Sequence, residues 1–473
     1  MARQRMVLRQ LRTIAGMLAA TIFAGALAGG MTHGDFQPAA AADLTKAKAT
    51  AKATEYAQEP LPPGIQVIST ELEGPVFADA QGRTLYKWPV KPLRNGAIGE
   101  QKTKPTCDDT HYRETSGFMS PYPPGFELPE VDTRPSCLQL WPALYAPEGA
   151  KETGKWTAVT RPDGKKQWAY DGYALYTSSR DKLPGDTYGG TNRKAEGDAP
   201  AYREPVGPKP GVPSQFGVYQ VAQGRLLTTA KEYSVYTSDR DGPNTSNCDT
   251  GCLQAWAPIL APESAVSQGD WAVIERSPGV KQWAFRKRPL YARIADRKVH
   301  GYEGSDEPGW HNVFVQKAPA PPKGFTMQDT RGGVVLADSR GHTIYLYSCA
   351  DDALDQQACD NPDSPQAYRF AICGGGDPDV CVRTFPYVIA DKDAKAESRT
   401  WTVMDIDPKT GHRASAGQTG ALHVWAFRDR PVYLFGGDKD PGDVEADAWG
   451  EFNGHRNGFK AFWLRDDFRE NAG

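Results

Sequence analysis

Tyr433-Leu-Phe435-Gly-Gly-Asp438 comes closest to a ligand-recognition motif in this 473-residue chain. In a strand, positions i and i+2 face the same side. Tyr433 and Phe435 would then form an aromatic platform, and Asp438 on the following turn would accept hydrogen bonds from a sugar or peptide. The competing reading buries both rings and lets the aspartate close a tight turn through its own backbone. The tyrosine recurs at 86, 176, 236, 291 and 345, while the residue two places on changes from Trp88 to Ser178, Ser238 and Arg293. A binding face would hold both positions, so the core reading is the stronger.

Other constellations are weaker. Asp181 with Pro184-Gly-Asp186, and Asp438 with Pro441-Gly-Asp443, set two acids around a glycine turn, an oxygen-rich arrangement of the kind that binds Ca²⁺. Two carboxylates are too few for a tight site, and solvated turn acids are the better reading. The eight histidines form no zinc or covalent-haem pattern. His423, two residues before Trp425, and His455 mark the place where a non-covalent haem would find an axial ligand. No Gly-x-Ser-x-Gly elbow is present. Cys373-Gly-Gly-Gly376 lacks the Lys-Ser/Thr of a phosphate loop and reads as a flexible span between Cys373 and Cys381. The expectation is therefore no catalytic residue and no cofactor, with Ca²⁺ or non-covalent haem as the alternatives.

The elements that carry these residues are repeated. Cys137-Leu-Gln-Leu-Trp141, Cys252-Leu-Gln-Ala-Trp256 and Cys381-Val-Arg-Thr-Phe385 are each followed by a Trp-Ala-aromatic strand at Trp168, Trp283 and Trp425, and eight residues later by Tyr176, Tyr291 and Tyr433. The step from Cys to Trp is 31 residues in both of the first two copies. Such spacing marks one structural unit used three times. Each unit opens on a strand–turn–strand pattern ending in Tyr86, Tyr236 or Tyr345. Gly82 and Gly341 sit at the turn in the first and third units, whereas Glu232 sits there in the second. A positive φ disfavours Glu, so a different turn type is expected at 232. The fold class is all-β: three tandem small antiparallel β domains, each of two similar halves, with disulfides and Pro-rich linkers. The expected boundaries are a signal peptide at 1–42, a flexible leader at 43–72, and repeat units at 73–205, 214–318 and 325–466. The stretches at 205–213 and 319–324 read as semi-rigid spacers. Long insertions at 92–136 and 348–380, short in the second unit, are where unit-specific function belongs.

Composition fixes the compartment. Arg3, Arg5, Arg9 and Arg12 precede an uncharged run from Thr13 to Gly30 and an alanine cluster at 39–42, the plan of a cleaved export signal. The net charge of −3 and the lack of a basic cluster argue against nucleic acid. No further long apolar run follows, so no stable membrane span is expected after cleavage. Eight cysteines in an exported chain point to disulfides. The repeat suggests Cys107 with Cys137, Cys248 with Cys252, Cys373 with Cys381, and Cys349 with Cys359 as the remaining pair.

These features resemble a bacterial family of secreted repeats of unknown function, often lipoproteins, with a Tyr-x-aromatic-x-x-Asp motif and a Cys-x3-Trp-Pro segment. The full motif stands once, at Tyr433, Phe435 and Asp438, and Trp141-Pro142 is the intact Trp-Pro pair. The resemblance implies export and β structure, and no activity. The functional expectation is an exported non-enzymatic protein, periplasmic or extracellular, binding an envelope protein or glycan or serving a structural role. A redox or cofactor carrier and a hydrolase of envelope polymers are the two rivals.

Overall fold

The computed structural model describes residues 55–87, 102–109, 135–190, 204–349, 360–452 and 457–467. They form short strands in several small antiparallel sheets. The expected signal peptide, His455 and Cys359 lie outside the described residues, as does 92–136 apart from 102–109 and 135–136. Among the described residues, no helix is long and apolar enough to cross a membrane.

The same assembly is made three times. A tyrosine of the first half pairs directly with one of the second: Tyr86 with Tyr176, Tyr236 with Tyr291, and Tyr345 with Tyr433. All six are at most 3% exposed. A Trp hairpin flanks each pair, with Trp156 opposite Tyr170, Trp271 opposite Phe285 and Trp401 opposite Phe427. The alternation that puts Trp156, Trp168 and Tyr170 on one side also packs them edge-on with Phe77 in a single cluster.

The Cys-x3-aromatic spacing is one helical turn. Cys137–Leu140, here α1, is closed by a capping box in which Ser136 Oγ accepts from the Gln139 amide. The Trp141 amide then donates to the Cys137 carbonyl at 2.7 Å, and Phe385 does the same to Cys381. Disulfides join Cys107 to Cys137, Cys248 to Cys252 and Cys373 to Cys381. Cys349 is also disulfide-bonded.

Four expectations change. The turn at Glu232 is of the same kind as at Gly82 and Gly341. Its φ is 66°, against 83° and 88° for the glycines. The three turns share one hydrogen-bond pattern: Gly82 to Asp79, Glu232 to Thr229, and Gly341 to Asp338. The tertiary frame overrides the local preference of Glu. The glycine run at 374–376 is a tight corner between two helices, α2 (Ala367–Gly374) and α3 (Pro378–Thr384). Gly375 at φ 62° ends α2 and Asp377 caps α3, so the run is ordered by its caps.

Residues 55–72, assigned to a flexible leader, are tied down as well. Gln66–Ser69 pairs with Pro75–Ala78, and Ala57 donates to the Lys209 carbonyl. Ile65 and Val67 supply the apolar contacts that make ordering favourable. The acids near the Pro-Gly turns are bonded to the protein. Asp181, Asp186 and Asp438 are buried, and Asp186 accepts the Lys182 and Leu183 amides at 3.0 and 2.7 Å. Asp443 closes its own turn in the same way through the Lys439 and Asp440 amides.

The repeats also pack on one another. Arg428 and Arg430 of the third repeat donate to the carbonyls of Thr187, Tyr188 and Gly190 of the first. Glu71 accepts the Arg399 and Thr400 amides at 2.9 and 3.0 Å. The second repeat reaches the first through Gln316 Nε2 to the Thr70 carbonyl and the third through Lys298 Nζ to the Asp467 carbonyl.

Candidate functional site

The tyrosine–aspartate motif is wired across each repeat. Asp438 does not bond Tyr433, five residues before it. It accepts from Tyr345 of the opposite half, with Tyr345 Oη 2.8 Å from Asp438 Oδ2. The equivalent bonds are Tyr86 to Asp181 at 2.7 Å and Tyr236 to Asp296 at 2.9 Å. The other carboxylate oxygen of Asp181 takes the Tyr188 amide, and that of Asp438 takes the Glu445 amide. Burial pushes the carboxyl of Asp181 up to about 7, and those of Asp296 and Asp438 up to about 6. The phenol hydrogen bonds act the other way by favouring the anion. The sequence carries the signal: an aspartate follows the second tyrosine of every repeat by five residues, but follows the first only in the second repeat, at Asp241.

Tyr433, Phe435 and Asp438 are thus close together inside the third repeat. Tyr433 is 3% exposed and packs edge-on against Phe459, while Phe435 is half-buried against Phe385 and Trp449. Both rings pack against other rings. His423 Nδ1 lies 2.7 Å from Asp405 on the neighbouring strand.

A recess suited to a ligand lies elsewhere, where the first repeat meets the third. A cavity of about 450 Å³ is walled by Leu140, Trp141 and Tyr188 on one side and by Asn361, Ser364 and Pro365 on the other. That volume suits a small molecule. Arg180, Lys182, Arg413, Asp363 and Asp429 supply its charges. Arg413 bridges Asp363 at 3.0 Å and Asp429 at 2.7 Å. Arg180 is 3.6 Å from Asp429 and only 12% exposed at its side chain. Burial, with Arg430 nearby, lowers the Arg180 guanidinium to about 10, so it stays charged at neutral pH. Behind it, Arg430 and Asp360 form an ion pair at 2.8 Å with both side chains at most 2% exposed.

Asp429 reaches the cleft from a two-residue hairpin turn, Arg428–Asp429, with φ of 50° and 64°. Such a turn favours Asn-Gly or Asp-Gly, and the first repeat has Asp171–Gly172 at its counterpart. Here both strained residues bond across the seam, Arg428 to Glu73 at 3.1 Å and Asp429 to Arg180. The cleft therefore offers guanidinium and ammonium groups, the Ser179 hydroxyl and aromatic walls. Both carboxylates at its rim are bridged by Arg413.

Residues 157–194 match a family described as a secreted repeat of unknown function. No curated protein and no solved structure matches the chain. The match spans Trp168, Tyr176, Asp181 and the cleft residues 178–189. An exported, β-rich, disulfide-bonded repeat protein is what sequence, fold and family agree on.

Proposed function

We propose that this exported protein acts at the cell envelope by binding, and that the seam cleft between the first and third repeats receives the ligand. One observation carries the reading. The insertions at 92–136 and 348–380 distinguish these repeats from the second, and a part of each reaches this cleft. Pro135 comes from the first insertion, and Asn361, Asp363, Ser364 and Pro365 come from the other. Variation placed on a constant frame is how a scaffold acquires specificity. The second repeat, whose corresponding stretch is short, then serves as a brace against both neighbours.

The test fills the cleft. Ser179→Trp places a large ring among its lining residues while leaving the Tyr–Asp bonds and the disulfides alone. Binding of the purified full-length protein to envelope glycans should fall by at least about tenfold, with an unchanged thermal midpoint. Full binding by a folded Ser179→Trp protein would move the site away from the seam.

A further inference from the structure

Arg180 is a charged side chain that the frame does not require. It stands immediately before the Tyr-bonded aspartate of the first repeat, where the second and third repeats have Ala295 and Gly437. Both of those repeats form their Tyr–Asp bond without it. Arg180 is also poorly satisfied. Its Nη2 has a long 3.4 Å bond to the Asp429 carbonyl, and its Nε is buried with no acceptor. The nearest carboxylate, Asp429, is held more closely by Arg413. A guanidinium has five N–H donors, and leaving them unpaired in a buried place costs stability. The lining carries three cations, Arg180, Lys182 and Arg413, against two anions, Asp363 and Asp429, which is an excess of one positive charge. Beside these charges stand the apolar faces of Leu140, Trp141 and Pro365.

Building on the cleft as the binding site, we infer that its ligand is a small carboxylate, whose anionic group pairs with Arg180 while its carbon skeleton lies against the Trp141–Pro365 walls. A planar carboxylate matches the guanidinium fork and neutralises the excess charge. The cavity of about 450 Å³ admits a sugar acid or a short acyl-amino acid and excludes a folded partner. The hydroxyl of Ser179 lies within the same walls to bond a ring or amide oxygen.

The experiment is calorimetric titration of the full-length protein with two acids and their neutral counterparts: glucuronate against its methyl ester, and N-acetylalanine against its methyl ester. The tighter of the two acids identifies a glycan-type or a peptide-type source. At least one acid should bind about tenfold or more tightly than its ester. Arg180→Gln should remove that preference, so that acid and ester bind equally. Arg180→Lys, which keeps the charge without the fork, should retain part of it. Equal binding of acid and ester, or an acid preference that survives Arg180→Gln, overturns the carboxylate assignment. Binding of neither acid also overturns it, while a Ser179→Trp-sensitive glycan interaction would leave the cleft reading standing. If Arg180→Gln does not fold, a rise in the wild-type thermal midpoint with sodium glucuronate or sodium N-acetylalaninate over equal sodium chloride supports the proposal, and no difference with either refutes it.

Discussion

Replacing Glu232 with glycine should stabilise the protein. Glu232 holds φ at 66° in a turn whose counterparts are Gly82 and Gly341. An L-residue in the left-handed region costs about 1–2 kcal/mol, which glycine does not incur. Glycine in turn loses about 0.5–1 kcal/mol through the greater freedom of the unfolded chain. The Glu232 contact with His300 is long, at 3.6 Å, and the Glu232 side chain is 65% exposed, so its loss weighs little. The net expectation for Glu232→Gly is a gain of about 0.5–1 kcal/mol. Glu232→Ala is the control, because it removes the carboxylate and keeps the backbone strain. Urea unfolding followed by tryptophan fluorescence should rank Gly above both Glu and Ala, with the last two within about 0.5 kcal/mol of each other. The reverse change, Gly82→Ala, should cost more, since its Cβ would meet Pro184 Cβ at 2.7 Å. If Glu232→Gly proves no more stable than Glu232→Ala, the turn is not left-handed in solution and the equivalence of the three turns fails.

Tyr345→Phe removes the donor to buried Asp438 and should cost about 1–3 kcal/mol, measured by the same unfolding assay. The carboxyls of Asp181, Asp296 and Asp438 lie at about 7, 6 and 6 in the folded protein, above the ordinary 3.8. The folded chain thus keeps protons that the unfolded chain releases, and this contribution to stability is complete below about pH 4 and declines as pH rises through 6–7. Urea midpoints should accordingly be higher at pH 5 than at pH 8 by a margin that Asp181→Asn reduces. Trp283→Ala should cost about 3–5 kcal/mol, because the ring is 4% exposed and packs on Phe216 and Trp271; a loss below about 1 kcal/mol in thermal or urea unfolding would contradict that burial. Arg430→Met leaves Asp360 charged and buried and should destabilise the seam by about 3–5 kcal/mol, visible as a lowered midpoint.

What could be read in advance depended on distance along the chain. The Tyr strands, the Trp hairpins and the Cys107–Cys137 and Cys248–Cys252 pairs follow from periodicity and spacing, which record local geometry. The bond between Tyr345 and Asp438 spans 93 residues, whereas the sequence reading closed the Asp438 turn through its own backbone. The glycines at 374–376 concealed two short helices because their caps, Gly375 and Asp377, use the residue types common in loops. The seam was invisible for a different reason. Nothing local to the hairpin marks Arg428 and Arg430, yet they reach carbonyls about 240 residues earlier. Arg180 could have been noticed, since aligning the three repeats sets it opposite Ala295 and Gly437.

The most direct test of the central claim is a crystal structure of the full-length protein with a small saccharide released from envelope material. Ligand density is expected between Trp141 and Pro365, with an acidic group beside Arg180. Density seated on another face of the repeats, with the seam cleft empty, would contradict it.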